Sequence, residues 1–182
     1  YATTALENDP KNAVAHYIFG KAAEDVQNWP TALDEYTQAV QSDSDNYLYY
    51  YELGKVQYRM GKFSEARASF ETCCKLNTRF ENAQYNLGMT LNKLGRRDDA
   101  IAAYTINPMY DKAYLEAARL LDAKNDTSGA ITAYQQVIRL DASNTNALRE
   151  LGTVYASAGQ YGEADQQFRK ALALSSDDPV TN

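Results

Sequence analysis

The chain has 182 residues, of which 18 are Lys or Arg and 24 are Asp or Glu, so its formal net charge is −6 at pH 7. A hydrophobic fraction of 45% and a charged fraction of 23% are typical of a folded globular chain and exclude disorder as its main state. Because the chain is acidic and has no apolar run near the roughly 20 residues of a membrane-spanning helix, it is predicted neither to bind nucleic acid nor to span a membrane.

Residues 1–12 resemble the end of a helical unit, since the stretch closes on Asp9 and Pro10. The chain begins with Tyr1 rather than Met, so we expect a preceding segment, including any signal or anchor, to lie outside this sequence. The cellular compartment is therefore left open, with the cytoplasm slightly favoured.

From residue 13 onward, three columns of residues recur with spacings of 34, 34, 30 and 34. The first column is small: Gly20, Gly54, Gly88, Ala118 and Gly152. The second is alanine: Ala32, Ala66, Ala100, Ala130 and Ala164. The third is aromatic: Tyr36, Phe70, Tyr104, Tyr134 and Phe168. Such a period indicates a repeat architecture, with repeats at 13–46, 47–80, 81–110, 111–144 and 145–178, and with 179–182 starting a continuation that is not in this sequence.

Each repeat is predicted to contain a helix, a tight turn and a second helix. In the second repeat, helical periodicity runs to the turn at Gly61, and Phe63, Ala66 and Phe70 then resume it. The small columns are predicted to let the two helices approach closely, while the aromatic column fills the space beyond them. Because a Gly within a helix costs about 1 kcal/mol relative to Ala, its recurrence favours a packing role.

This pattern resembles the tetratricopeptide repeat (TPR) family. The residues that carry the resemblance in the last repeat are Leu148, Leu151, Gly152, Tyr155, Gly159, Tyr161, Ala164, Phe168, Ala171 and Leu174. The resemblance implies an all-α fold, in which antiparallel helix pairs form a right-handed superhelical solenoid, and a single domain over residues 13–178. It also implies a role in protein–protein interaction.

The third repeat is four residues shorter than the others. Pro108 follows Tyr104 after four residues, where the family pattern places a closing Pro eight residues later. A true deletion predicts a short second helix at roughly Asp98–Ile106. The alternative is that four residues are missing from this sequence between Thr105 and Ile106.

The chain lacks the residue sets that catalysis and metal binding require. His16 is the only histidine, and a role in packing is expected for it. Cys73 and Cys74 are adjacent, which does not fit a disulfide framework or a zinc site, and they are predicted to be buried thiols. The pair Asp98 and Asp99 is explained by the start of a helix. We therefore predict no enzyme activity, no metal site and no cofactor.

In the TPR family, the first helices of successive repeats line a concave groove that holds ligands. Carried over column by column, the resemblance gives these candidate partner-binding residues: Tyr17, Lys21, Tyr51, Lys55, Tyr58, Arg59, Tyr85, Asn86, Lys93, Lys112, Arg119 and Arg149. The groove columns contain seven basic and three acidic residues, so the groove is predicted to be basic and to attract an acidic peptide. The alternative is that Glu52, Glu116 and Glu150 in the adjoining column cancel much of this charge.

Two TPR subtypes fit this sequence poorly. Chaperone adaptors grip a terminal carboxylate with a Lys, Asn and Arg set, of which only Asn86 and Lys112 match, and Glu116 would repel the carboxylate. The asparagine ladder of the protein O-glycosyltransferase arm retains only Asn86. The sequence therefore favours neither of these two subtypes.

The leading hypothesis is a non-catalytic scaffold that holds a peptide or a partner protein in the concave groove. A second is self-assembly into a homo-oligomer through the C-terminal helix, where an uncovered apolar patch is expected around Phe168, Leu172 and Leu174. A third is the targeting arm of an enzyme whose catalytic domain lies outside these residues.

Overall fold

The computed structural model describes residues 9–176, and all regular structure within them is helical. The helices are α1 (Ala13–Asp25), α2 (Trp29–Ser42), α3 (Tyr47–Arg59), α4 (Phe63–Leu76), α5 (Glu81–Lys93), α6 (Arg97–Thr105), α7 (Asp111–Ala123), α8 (Thr127–Leu140), α9 (Thr145–Ser157) and α10 (Tyr161–Ser176). Short turns join α1 to α2, α3 to α4, α7 to α8 and α9 to α10, and the two helices of each of these pairs pack side by side.

The chain forms two compact units, which meet in sequence between Ala100 and Ile101, within α6. In the first unit, α1 to α5 pack in chain order, each helix against the next. In the second unit, α7 to α10 do the same. Each unit is thus built from helix pairs that stack on their sequence neighbours, as a repeat array requires.

Polar side chains define where several helices begin. Asn12, Asn28, Asn46, Asp126 and Asn144 precede α1, α2, α3, α8 and α9, and each accepts a hydrogen bond from a backbone N–H of the first turn. Pro30 lies in the first turn of α2, as the sequence predicts, where its missing N–H costs little. These caps satisfy donors that would otherwise lack partners.

The small and aromatic columns pack as the sequence predicts. A Cβ added to Gly20, Gly54 or Gly152 would lie 2.6, 2.8 or 2.6 Å from a ring carbon of the aromatic residue sixteen positions later. Since real Cβ atoms essentially never come that close to another atom, the ring and the neighbouring helix leave room only for a hydrogen. The alanine column is equally tight, and Ala32, for example, has no exposed surface.

Helix α6 has nine residues, against fourteen in α2, α4 and α8. It ends at Thr105, one residue before the end that the early Pro108 predicts. Partners in the second unit cover the carbonyl groups near this end: the Tyr114 hydroxyl donates to the Thr105 carbonyl at 3.3 Å, and the Gln136 amide donates to the Pro108 carbonyl. The short helix is therefore closed by side chains rather than by a further helical turn.

The last described helix presents apolar side chains to solvent. Leu172 is 70% exposed, Phe168 is 41% exposed and Leu174 is 38% exposed. The apolar patch expected here is present.

Candidate functional site

A cavity of about 550 Å³ lies in the first unit, with α1 to α5 all contributing to its wall. Its lining residues are Glu24, Trp29, Tyr51, Lys55, Val56, Tyr58, Arg59, Phe63, Phe70, Asn86 and Met89. Most of this wall is aromatic or aliphatic, and a few charged or amide groups interrupt it. That composition is typical of a pocket in which apolar contacts supply affinity and polar groups fix orientation.

The structure brings together five of the twelve residues predicted for partner binding. Tyr51, Lys55, Tyr58, Arg59 and Asn86 all line the cavity. The other predicted residues of the first unit, which do not line it, are Tyr17, Lys21, Tyr85 and Lys93. Those of the second unit are Lys112, Arg119 and Arg149, of which Arg119 lines a separate cavity of about 290 Å³.

Four charged side chains form an ion network beside the 550 Å³ cavity. The Lys21 ammonium lies 3.2 Å from Glu24 and 3.6 Å from Glu52, while the Lys55 ammonium lies 3.2 Å from Glu24 and also bonds Glu52. Two lysines and two glutamates cancel in charge. Lys21 and Lys55, two of the four lysines predicted for binding, therefore hold α1 and α3 together.

Tyr36 extends this network into the core. Its hydroxyl donates to Glu24 at 3.0 Å, and its ring has no exposed surface. Burial raises the pKa of Glu24, but the positive charge of Lys55 and the hydrogen bonds from Tyr36, Lys21 and Lys55 outweigh it, so the pKa lies below its usual 4.5. Glu24 is therefore ionised at neutral pH and already has hydrogen-bond partners within the protein.

A second ion network lies in the second unit. Arg119 makes two hydrogen bonds to Glu150, at 2.9 and 2.7 Å, and a third to Glu116 at 2.9 Å. The Tyr134 hydroxyl donates to Glu150 at 3.0 Å, as Tyr36 does to Glu24. Burial raises the pKa of Glu150, but the hydrogen bonds from Arg119 and Tyr134 lower it overall.

These pairings decide between the two interpretations of groove charge. Of the seven basic residues in the groove columns, Lys21, Lys55 and Arg119 pair with carboxylates, and counting Glu52, Glu116 and Glu150 lowers the excess from +4 to +1. The glutamate column cancels charge, as the alternative interpretation proposes. Among residues 9–176, no carboxylate lies within 4.0 Å of the basic groups of four others: Arg59, Lys93, Lys112 and Arg149.

Tyr17 and Tyr51, two of the tyrosines predicted for binding, contribute to packing, and Tyr51 also lines the cavity. The Tyr51 ring meets Phe80 edge-on, with centroids 4.8 Å apart, and its hydroxyl accepts a hydrogen bond from the Asn86 amide at 3.3 Å. Tyr17 packs against Tyr49 and Tyr36, at centroid distances of 5.3 and 6.0 Å. These two tyrosines therefore join neighbouring helix pairs, and only part of each ring is available to a ligand.

Trp29 is a wall residue that the sequence analysis did not select. The Arg59 guanidinium carbon lies 4.5 Å from the Trp29 ring centroid, within the range of a cation–π contact. Trp29 is the first residue of α2, and Phe63 holds the same position 34 residues later in α4. An aromatic residue directly after the turn, recurring with the repeat period, is the signal that could have identified this part of the wall.

His16 joins α1 to α2 and to the preceding loop. Its Nδ1 lies 2.8 Å from a Glu35 carboxylate oxygen, and its Nε2 lies 3.0 Å from the Pro10 carbonyl oxygen. Both partners are acceptors, so the ring donates from both nitrogens only as the imidazolium. Burial lowers the pKa of His16, but these hydrogen bonds and the charge of Glu35 raise it overall. The packing role expected for His16 is thus an interhelical one.

Other groups that could carry chemistry are buried or dispersed. Cys73 has no exposed surface, and Cys74 is half-buried; burial raises their pKa values to about 12 and about 11, which makes both thiols poor nucleophiles. Between residues 9 and 176, no group of three or more His, Cys, Asp or Glu side chains could hold a metal ion. In the same part of the chain, no helix is both long and apolar enough to cross a membrane.

Stacked pairs of short helices with small-residue contacts define an α-helical repeat protein. Four family models described as tetratricopeptide or TPR repeats match residues 20–61, 47–80, 81–105 and 115–179. The chain belongs to the tetratricopeptide repeat family, and its fold is an all-α solenoid.

Solved structures show the same fold. The crystal structure of MamA protein aligns with a TM-score of 0.83 and 23% identity, covering 93% of this chain and 95% of that one. The structure of YrrB, described as a TPR protein with an unusual peptide-binding site, aligns with a TM-score of 0.77 and 23% identity, covering 97% and 93%.

Among curated proteins, the chain is 26% identical over 167 residues to DnaJ homolog subfamily C member 3 of Gallus gallus. The match covers 81% of this chain but 33% of that protein. The chain thus spans about a third of the length of this relative. The tetratricopeptide repeat family and its fold are typical of protein-interaction scaffolds.

Proposed function

We propose that the protein is a non-catalytic scaffold that binds a segment of a partner protein in the 550 Å³ cavity of the first unit. The observation that carries the proposal is that five residues predicted for binding, drawn from α3 and α5, line one cavity together with aromatic side chains. Tyrosine and tryptophan supply large, rigid contact surfaces with little loss of conformational entropy on binding.

A related protein supports this type of ligand. YrrB has the same fold along nearly its whole length and is described as having a peptide-binding site. A peptide is also the ligand that a solenoid of stacked helices accommodates, because its surface is extended rather than enclosed.

Charge favours an acidic segment over a basic one. The ion network of Lys21, Glu24, Glu52 and Lys55 sums to zero, which leaves Arg59 as the charged lining residue with no carboxylate within 4.0 Å among residues 9–176. A partner carboxylate would meet a positive group at the cavity, whereas a partner ammonium would meet carboxylates that are already paired.

The test introduces a charge into the wall at a residue whose side chain takes no part in the hydrogen bonds, ion pairs and ring contacts described above. Tyr51 and Lys55 are unsuitable, since both stabilise the packing of α3. Met89 is half-buried in the wall, so Met89→Glu should keep the fold. The new carboxylate should repel an acidic ligand, and its desolvation should disfavour the binding of an apolar one. Peptides are selected from a random displayed library on the wild-type chain, and their affinities for the variant are measured by fluorescence anisotropy.

We expect the selected peptides to bind Met89→Glu at least about tenfold more weakly than the wild type. The matched control is Met109→Glu, the same substitution at a residue of the second unit that is 70% exposed, and its affinity should be unchanged. Circular dichroism melts establish that both variants fold. Equal affinity of the wild type and Met89→Glu for every selected peptide would exclude the cavity as the binding site.

Self-association is the second candidate function, and the exposed apolar side chains of α10 favour it. Leu172 and Phe168 are large apolar groups that a second copy of the chain could cover. Analytical ultracentrifugation at high concentration tests this idea: concentration-dependent dimers that Leu172→Glu abolishes would support it, and a monomer would remove it.

A further inference from the structure

Arg59 differs from the other charged residues of the cavity wall in its surroundings. Lys55 and Glu24 are held by carboxylates, ammonium groups and the Tyr36 hydroxyl, whereas Arg59 lies over the face of the Trp29 indole at 4.5 Å. It lies at the C-terminal end of α3 and is exposed to solvent. Its charge is therefore accessible to a ligand that enters the cavity.

The guanidinium group of Arg59 lies over the Trp29 ring, with its central carbon 4.5 Å from the ring centroid. Its N–H bonds lie in the plane of that group and point outward from its edges, where they match the two oxygens of a carboxylate. The aromatic contact also restricts the rotamers of a long side chain, so less conformational entropy remains to be lost when a carboxylate binds. Arg59 is thus pre-organised to receive an acidic group.

The wall next to Arg59 is aromatic. Tyr58 and Phe63 meet edge-on, with centroids 5.2 Å apart, and Trp29, Tyr51 and Phe63 line the same cavity. A cavity of about 550 Å³ has room for a large side chain. Aromatic rings gain most from contact with another ring, because edge-to-face and offset arrangements add to the burial of apolar area.

We propose that the cation–π pair of Arg59 and Trp29 selects a partner segment in which a Glu or Asp side chain lies next to an aromatic side chain, the carboxylate pairing with Arg59 and the ring entering the cavity. This inference rests on the proposed function and makes it specific. A cationic side chain in place of the carboxylate is disfavoured, because Glu24 and Glu52 already pair with Lys21 and Lys55.

The test uses the peptides selected on the wild-type chain. The majority should carry Asp or Glu within two residues of Phe, Tyr or Trp. For a synthetic peptide of that kind, Arg59→Gln should weaken binding about tenfold, the size expected for a charge-assisted bidentate pair. Arg59→Lys keeps the charge but loses the fork geometry, and it should weaken binding severalfold.

Two controls isolate the pairing. Arg79→Gln removes the same charge from an exposed residue of the same unit that does not line the cavity, and affinity should be unchanged. A peptide with its acidic residue changed to Gln should lose about tenfold on the wild type and nothing further on Arg59→Gln, which is the signature of a direct contact in a double-mutant cycle.

The outcomes separate this inference from the proposed function. Peptides that Met89→Glu weakens but that bind Arg59→Gln with wild-type affinity would overturn the role of Arg59 and leave the cavity as the site. Selection of peptides rich in Lys or Arg would likewise overturn it, since a ligand cation would then replace Arg59 over Trp29. Peptides indifferent to Met89→Glu would overturn the proposed function and the inference together.

Discussion

Glycines within the helices mark the points where two helices come closest. At Gly54 the neighbouring ring is Phe70, which is 1% exposed. The unfavourable helix propensity of glycine is therefore offset by close packing of α3 against α4. The same relation holds between Gly20 and Tyr36 and between Gly152 and Phe168.

Gly54→Ala is accordingly expected to destabilise the protein. Helix propensity alone would stabilise it by about 1 kcal/mol, but the added Cβ would lie 2.8 Å from Phe70, and overpacking of this kind costs about 1–3 kcal/mol. We expect a net loss of about 1 kcal/mol in the free energy of unfolding. Urea denaturation followed by circular dichroism measures it.

Gly162→Ala is the matched control, because a Cβ at that helical position has no atom within 4 Å. It should raise the free energy of unfolding by about 0.5 kcal/mol. If Gly54→Ala stabilised the protein as much as Gly162→Ala does, the close approach of α3 and α4 would be refuted.

At the scale of the helix, equivalent positions differ in how well they are capped. Asp126 accepts a hydrogen bond from the Gly129 N–H at 3.0 Å at the start of α8, but Lys62, in the equivalent position before α4, has no side-chain cap. The two backbones are similar, with φ −83° and ψ 75° at Asp126 and φ −81° and ψ 63° at Lys62. The start of α4 therefore lacks a side-chain cap because the Lys62 side chain has no hydrogen-bond acceptor, and not because its backbone has a different conformation.

Lys62→Asp should therefore stabilise the protein. The new carboxylate can accept from the first turn of α4, and Glu65, three residues later, completes a capping box. We expect a gain of about 1 kcal/mol in the free energy of unfolding, measured by urea denaturation.

Lys75→Asp makes the same change of charge in the last turn of α4, where the helix dipole disfavours an acid, and it should destabilise the protein. A gain of similar size from both substitutions would show that removal of a positive charge from this helix, and not capping, is responsible.

At the scale of the whole molecule, acidic and basic groups stabilise the fold over different ranges of pH. The pKa values of Glu24 and Glu150 lie below their usual 4.5, so their contribution is present above about pH 4.5 and is lost as the pH falls through the lowered values. The pKa of His16 lies above its usual 6.5, so its contribution is complete below that pH and is lost as the pH rises through the raised value.

The free energy of unfolding should therefore be largest between about pH 4.5 and pH 6.5. Glu24→Gln should make the decline on the acid side shallower, and His16→Gln should remove part of the decline on the alkaline side. Urea denaturation at a series of pH values tests both. An acid decline of the same slope in Glu24→Gln and the wild type would contradict the role given to its ion network.

The sequence by itself determined the family, the all-α fold and the packing of small against aromatic columns. These follow from a period of about 34 residues and a helical spacing of 3.6, both of which are local properties of the chain. The resemblance to the family gave Tyr51, Lys55, Arg59 and Asn86 as candidate binding residues, and these four line one cavity in the structure.

Only the tertiary structure decided which of the charged residues remain available to a partner. Column position assigns a side chain to a helix face, but Lys21 meets Glu52, and Arg119 meets Glu150, across a gap of 31 residues. Such pairing depends on distances between neighbouring helices and on side-chain rotamers, which no local spacing encodes. For the same reason the contact between Trp29 and Arg59, 30 residues apart in sequence, emerges only from the fold.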